Sequence, residues 1–222
     1  VKLNLESFWG YTAAQIWAMV AEHNILNVFR KNFHEVWPRT LYRSSQPTTY
    51  QLEEYIQKYG IKTVINLRRF KGLTVLGELE KRVCEQKGVK MVSIKAYSRQ
   101  MPRPKALREF KEVFENIEYP ALIHCKSGAD RAGLGSALYL HFMRQIDPEK
   151  SNQLSFWPYG HIKGGRTGLI DHFFELYAKA KQKDPNLDII KFGESLNYKQ
   201  IEQGFKPKAF WNALVEYILR RE

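Results

Sequence analysis

The stretch that decides the fold is Ile123-His124-Cys125-Lys126-Ser127-Gly128-Ala129-Asp130-Arg131-Ala132-Gly133. Just before it, Pro120 leads into Ala121-Leu122-Ile123-His124, a short apolar run that reads as a buried strand. Just after it, from near Arg131 to about Gln145, Leu134, Leu138, Leu140 and Phe142 stand among small residues and read as a helix. A turn between a buried strand and a helix start is where an anion site belongs. The backbone N–H groups of the turn and of the helix start point into one small cup. Ser127, Gly128 and Ala129 are small enough for the chain to curl tightly around a phosphate.

The residue types fit a phosphoryl reaction. A thiol at a helix N-terminus beside a cation is held as thiolate, and a thiolate attacks phosphorus without a separate base. Cys125 is therefore the candidate nucleophile. Arg131 lies six positions later, across the cup, where its planar fork can hold two phosphate oxygens through the transition state. The backbone of Lys126, Ser127, Gly128 and Ala129 binds the equatorial oxygens as an oxyanion hole binds an acyl oxygen. His124, next to the thiol, supports the local backbone and the thiolate. The scheme needs no metal and no cofactor.

Outward from the loop, strands and helices alternate from about residue 40. Leu41-Tyr42-Arg43 reads as a short strand, and Thr48 or Thr49 caps a helix that runs to Tyr59 and stops at Gly60. Lys62 to Leu67 is a β-branched, apolar strand. Residues 75–87 form a helix ended by Gly88, and Val89 to Ala96 the next strand. Pro102 and Pro104 mark a loop and the start of a helix to about Ile117. Residues 11–22 read as an amphipathic helix, either packed or lying on a membrane surface. Further helices are expected at about 167–182 and 207–221. Residues 155–168 are turn-rich, aromatic and basic, either a loop near the site or a linker.

The pattern predicts an α/β protein in three layers, with a central, mostly parallel sheet of four to five strands and helices on both faces. Residues 1–39 are expected as an N-terminal helical extension, 40–147 as the core domain, and 148–222 as a C-terminal helical part of the same domain.

The 222 residues carry a net charge of +12, which draws anions: phosphorylated substrates, nucleic acid or an acidic membrane face. A scattered, solvated basic surface is the plainer reading of the same charge. No basic stripe interleaved with aromatics favours nucleic acid, whereas peripheral membrane contact stays open. The two cysteines, Cys84 and Cys125, are too few for a disulfide scaffold and fit a reducing, cytoplasmic setting. No apolar run is long enough to span a bilayer. The opening residues show no leader pattern, and Val1 is not a natural start, which leaves a removed upstream segment open.

His-Cys-x-x-Gly-x-x-Arg resembles the signature of the protein tyrosine phosphatase superfamily, in particular its bacterial dual-specificity-like, atypical branch. Tyr42-Arg43-Ser44-Ser45-Gln46-Pro47, Gly60 to Arg68, Gly88-Val89-Lys90 and Pro120 to Cys125 look like successive blocks of the same group, so the resemblance covers about residues 40–145. It implies the three-layer cysteine-phosphatase fold and two-step hydrolysis of a phosphate monoester through a phosphocysteine, with phosphotyrosine or mixed phosphoprotein as substrate. Arg68 is implied as a phosphate neighbour, with Arg43 and Arg99 standing equally for solvated surface residues. A second cysteine such as Cys84 traps the oxidised nucleophile in some relatives, although a helix cysteine is more often a small buried hydrophobe.

Three departures bear on mechanism. The general-acid Asp that relatives carry about thirty residues before the nucleophile is missing: Ser93 to Cys125 contains no Asp, and the matching loop, Tyr97 to Pro104, is basic. Asp130 resembles the loop Asp of myotubularin-type lipid phosphatases and is the candidate acid, the alternative being a salt bridge that shapes the loop. Ala132 stands where relatives have Ser or Thr, which implies a slow second step. Lys126 resembles the rim lysine of tensin-type phosphoinositide phosphatases and, with the basic charge, points to phosphoinositides, inositol polyphosphates or phospholipids as alternative substrates. A non-catalytic phosphate-binding module is the alternative of another class.

Overall fold

The computed structural model describes residues 31–68 and 75–213, together with Thr12. Apart from Thr12, the amphipathic helix expected at 11–22 lies outside the described residues, as does the end of the helix expected at 207–221.

The elements in chain order are β1 (His34–Trp37), β2 (Leu41–Ser44), α1 (Thr49–Tyr59), β3 (Thr63–Asn66), α2 (Val75–Lys87), β4 (Lys90–Ser93), α3 (Pro104–Asn116), β5 (Ala121–His124) and α4 (Asp130–Arg144). There follow α5 (Leu169–Lys183), α6 (Ile189–Ser195), α7 (Tyr198–Gly204) and α8 (Ala209–Ala213). Local chemistry sets the boundaries. Thr48 and Gln51 form a reciprocal capping box at the start of α1, and Gly60, at φ 65°, ends the helix in the left-handed region. Pro104 opens α3 at a position where its missing N–H costs nothing.

The strands form one sheet in the order β1-β2-β5-β3-β4. β2, β5, β3 and β4 run parallel and β1 pairs antiparallel with β2. Successive strand residues serve opposite faces. Tyr42, Val64 and Leu122 pack with α1 and α2 around Leu52, Tyr55, Val83 and Cys84. Leu41, Ile65 and Ile123 pack with the other helices around Phe110, Phe114, Leu138, Phe173 and Tyr177. Three layers result, and β5, covered on both sides, is wholly buried.

Two expectations need correction. The strand expected from Val89 to Ala96 pairs only over Lys90–Ser93, because its neighbour β3 ends at Asn66, opposite Ser93. The segment before residue 40, expected to be helical, contributes the edge strand β1, whose ladder is interrupted by a bulge between Glu35 and Trp37. The helices α6 and α7 add to the two expected in the last third. Ile189 and Phe192 of α6 join the larger core cluster.

Register places the site. Ser44, His124 and Asn66 lie in one row across three parallel strands. The residues that follow them, Ser45-Gln46, Cys125 and Leu67-Arg68, therefore emerge together at the carboxyl edge of the sheet, where ligands of such sheets bind.

Candidate active site

Residues 125–129 connect β5 directly to α4. Cys125 is a free thiol with 1% of its surface exposed. Ala129, at the helix N-cap, makes no side-chain capping bond to the first-turn amides of α4.

The loop's shape is held from outside, through its carbonyls. The Lys126 carbonyl accepts from the Gln46 amide at 3.1 Å. The Ser127 carbonyl accepts from Asn32 Nδ2 at 2.8 Å. The Gly128 and Ala129 carbonyls both accept from Arg43 Nη2, at 2.7 and 3.0 Å. In a trans peptide the carbonyl and the next N–H point in opposite directions. Turning these carbonyls outward therefore turns the amides of Ser127, Gly128, Ala129 and Asp130 towards the loop's inner side. Gly128 has φ +72°, and a Cβ there would lie 2.6 Å from the Ser45 nitrogen, so glycine is needed both for conformation and for space.

Arg43 is the centre of this support. It is fully buried, which corrects the option of a solvated surface residue. Its Nη1 donates to the Gln153 carbonyl and to Gln153 Oε1 at 2.8 and 2.9 Å. Its guanidinium lies 3.9 Å from the centre of the Tyr159 ring. Burial lowers its pKa to about 10, opposed by the charges of Tyr159, Cys125 and Asp130, so Arg43 stays protonated at neutral pH. Arg99, the other weaker candidate, is partly exposed on the basic loop.

A second buried group lies under the other side of the loop. Glu80 of α2 accepts from Asn66 Nδ2 at 2.6 Å and from Gln46 Nε2 at 3.5 Å. His124 Nε2 approaches Glu80 Oε1 to 2.5 Å without the alignment of a hydrogen bond. Asn66 Oδ1 accepts from the Arg68 amide at 2.7 Å, and Gln46 Oε1 from Arg68 Nη1 at 3.1 Å. Gln46 and Asn66 thus bring Arg68 to the sheet edge that bears Cys125. The Leu67 amide donates to the His124 carbonyl at 2.9 Å, and Arg131 Nη1 reaches towards the Leu67 carbonyl at 3.5 Å. Arg131, Lys126 and Ser127 remain partly exposed, as binding groups must.

Asp130 faces inward. It is 2% exposed, and its Oδ1 lies 2.7 Å from His161 Nδ1. Ala132 is buried in the core with no hydroxyl to offer the thiol. The basic loop before α3 is tied to α7, where Glu202 accepts from the Met101 amide at 3.0 Å and from Arg103 Nη2 at 2.8 Å. Cys84 packs on the opposite face of the sheet from the cluster that holds Cys125. Burial, with Glu80 and Glu85 nearby, pushes its thiol up to about 12, as suits a core residue.

Asn32, Gln46, Asn66, Glu80, Gln153 and His161 are site-shaping residues that sequence reasoning missed. Gln46 and Asn66 carried a signal: Asn66 ends β3, and Gln46 follows two residues after the end of β2. His161 falls in the stretch 155–168, for which a loop near the site is one of two options, and nothing in the sequence marks Asn32, Glu80 or Gln153 as neighbours. Among the described residues no group of three His, Cys, Asp or Glu side chains is placed to hold a metal ion, and no helix is long and apolar enough to cross a membrane.

A five-stranded, mostly parallel sheet with helices on both faces, with a strand–loop–helix turn at its carboxyl edge, is the architecture of the tyrosine phosphatases. The chain belongs to the tyrosine phosphatase family, whose model matches residues 28–147. Among solved structures it is similar to a putative phosphatase from Shewanella putrefaciens CN-32, at 17% identity over 72% of this chain and 97% of that one, with a TM-score of 0.51. It is also similar to the core catalytic domain of the PP-IP phosphatase SIW14 from S. cerevisiae, at 19% identity over 70% and 94% of the two chains, TM-score 0.50. TpbA of P. aeruginosa is similar at 20% identity over 74% and 89%, TM-score 0.48. No curated protein sequence matches the chain.

Proposed function

We propose that the protein hydrolyses phosphate monoesters through a phosphocysteine at Cys125, in the manner of tyrosine and dual-specificity phosphatases. The observation that carries this reading is the set of loop carbonyls turned outward onto Gln46, Asn32 and Arg43. It leaves the amides behind them, the N-terminus of α4 and the Arg131 fork to receive a phosphoryl group above the thiol. In the first step Cys125 Sγ attacks phosphorus, the P–S bond forms and the ester P–O bond breaks with its electron pair going to the leaving oxygen. In the second, water attacks phosphorus and the thiolate leaves. Arg131 holds two phosphoryl oxygens in both steps. Lys126 and Arg68 add charge around the cup, and His124 braces the backbone beside the thiol.

We assign Asp130 to holding the loop rather than to proton transfer, because its carboxylate is buried and committed to His161. The leaving oxygen then takes its proton from solvent. That favours esters whose leaving group is a weak base, phosphotyrosine among them, over alkyl phosphates. A second reading, with inositol phosphates, phosphoinositides or other phospholipids as substrates, is favoured by the partly exposed Lys126 and the net charge of +12. We take residues 148–213 as part of the same catalytic unit as the core, since Gln153, Tyr159 and His161 lie against the loop's supports.

The test is hydrolysis of a small aryl phosphate, without metal and with reductant, by the wild type and by Cys125→Ser. The expected result is turnover that falls at least about 10³-fold in the variant. A panel of phosphopeptides, phosphoinositides and inositol phosphates then separates the two substrate readings. Folded wild type that binds phosphate and turns over none of them points instead to a phosphate-binding module.

A further inference from the structure

His161 is a buried imidazole that the phosphoryl chemistry does not itself require. It is 1% exposed, with Nδ1 2.7 Å from Asp130 Oδ1 and Nε2 2.7 Å from Asp171 Oδ2. A neutral imidazole has one N–H and donates to one partner; only the imidazolium donates to both. The two ends of this chain differ in kind. Asp130 is the first residue of α4 and precedes Arg131. Asp171 lies in the first turn of α5, which is anchored through Phe173, Phe174 and Tyr177 in the main core. The backbone around His161 is pinned as well: its amide donates to the Ser155 carbonyl at 3.1 Å, and the Thr167 hydroxyl to the Ile162 carbonyl at 2.6 Å.

We propose that Asp171, His161 and Asp130 form a positioning chain, in which His161 clamps Asp130 to α5 and so fixes the turn that carries Arg131 and the last amide of the cup. The inference rests on the phosphoryl-transfer reading of the loop given above. His161 and Asp171 act only through Asp130. A displacement of Asp130 moves the adjacent Arg131, and misplacement of a binding fork by an ångström costs about 10²-fold in such reactions.

The clamp depends on charge. Burial opposes the charge on His161, but the hydrogen bonds and charges of Asp130 and Asp171 outweigh it and hold the proton up to about pH 9. Other charged groups also bear on it. Arg43, on β2, faces Asp130 from behind the loop and, at about 10, titrates later. Cys125 lies on the cup side. Lys163 follows closely in sequence; it pairs with Glu175 of α5 and its charge also acts on Asp171.

The experiment measures tungstate binding by calorimetry and aryl phosphate turnover from about pH 6 to about pH 10, for the wild type, His161→Asn and Asp171→Asn, with folding checked by circular dichroism. For His161→Asn the expected result is tungstate binding weaker by about tenfold or more, and kcat lowered more than KM is raised. For Asp171→Asn, near-wild-type behaviour at about pH 6 is expected. Its alkaline decline should begin at least about one unit lower than in the wild type, because one carboxylate fewer holds the proton. Should His161→Asn fail to fold, the shifted limb of Asp171→Asn still decides the matter. Folded variants with unchanged binding and an unchanged alkaline limb overturn the positioning chain and leave the phosphatase reading intact. Wild type that binds tungstate in a His161-dependent way, yet hydrolyses no ester, overturns the phosphatase reading and leaves the chain standing. Wild type that does neither overturns both.

Discussion

The loop from His124 to Arg131 takes its reactive groups from consecutive residues, whereas the frame that holds it is gathered from Asn32, Arg43, Gln46, Glu80, Gln153, His161 and Asp171. The two regions also differ in environment. Arg131, Lys126 and Ser127 keep part of their surface open for a ligand. Arg43, Gln46, Glu80 and His161 are buried and spend their hydrogen bonds on the protein. A cup whose donors must all face one way cannot orient itself, because each peptide that turns its N–H inward leaves a carbonyl to be satisfied behind it. The frame satisfies those carbonyls. The loop's variants should therefore lose chemistry at nearly constant stability, and the frame's variants should lose stability along with chemistry.

The sharpest of these contrasts is Arg131→Lys. A lysine keeps the charge and loses the fork, so kcat for an aryl phosphate should fall by about 10²–10³ while the melting temperature barely moves. An equal loss of stability would erase the distinction between loop and frame. Next is Gly128→Ala, at the point where the regions touch. The added methyl meets the Ser44–Ser45 backbone at a positive φ, and we expect kcat lower by about 10² together with a clear drop in melting temperature. Arg43→Met removes the donor to two loop carbonyls and to Gln153. Denaturant unfolding should report a loss on the order of 3–5 kcal/mol, with activity falling in the fraction that remains folded.

The smallest effect is a pH dependence of the frame. His161 has its proton held more tightly in the folded protein, up to about 9 against an ordinary 6.5. Its contribution to stability is therefore complete below about pH 6.5 and is lost as pH rises through about 9. The total is on the order of 3 kcal/mol at 1.36 kcal/mol per unit. Denaturant melts across that range should show the decline in the wild type and its absence in His161→Asn.

The same division governs what could be read from the sequence. The strand–loop–helix unit was legible because one contiguous stretch states it. Apolar β5, the small residues of the turn and the leucines of α4 are all local signals. Helix α1 was legible for the same reason, through Thr48 and Gly60. The frame was not, because a buried polar pair carries no local mark. Arg43 reads as a strand-end arginine until β2 is set beside β5, and His161 is one histidine in a turn-rich stretch until Asp130 and Asp171 close on it. The edge strand β1 escaped because it is short, bulged and only half-buried, so no alternation announces it. Asp130 shows how far a pattern can reach. Its place before Arg131 marked it as a candidate acid, while its neighbour His161, thirty-one positions away, carried no mark in the sequence.

The central claim is that Cys125 carries the phosphoryl group, and it can be tested by stopping the reaction in progress. Wild-type protein is mixed with excess aryl phosphate, quenched in acid within the first turnovers, digested and examined by mass spectrometry. Ala132 is a buried methyl that offers the leaving thiolate no hydroxyl, so the intermediate should accumulate. The account predicts one added phosphoryl group on the peptide containing Cys125 and none on that containing Cys84. Steady turnover with the label on another residue, or on none, would contradict it.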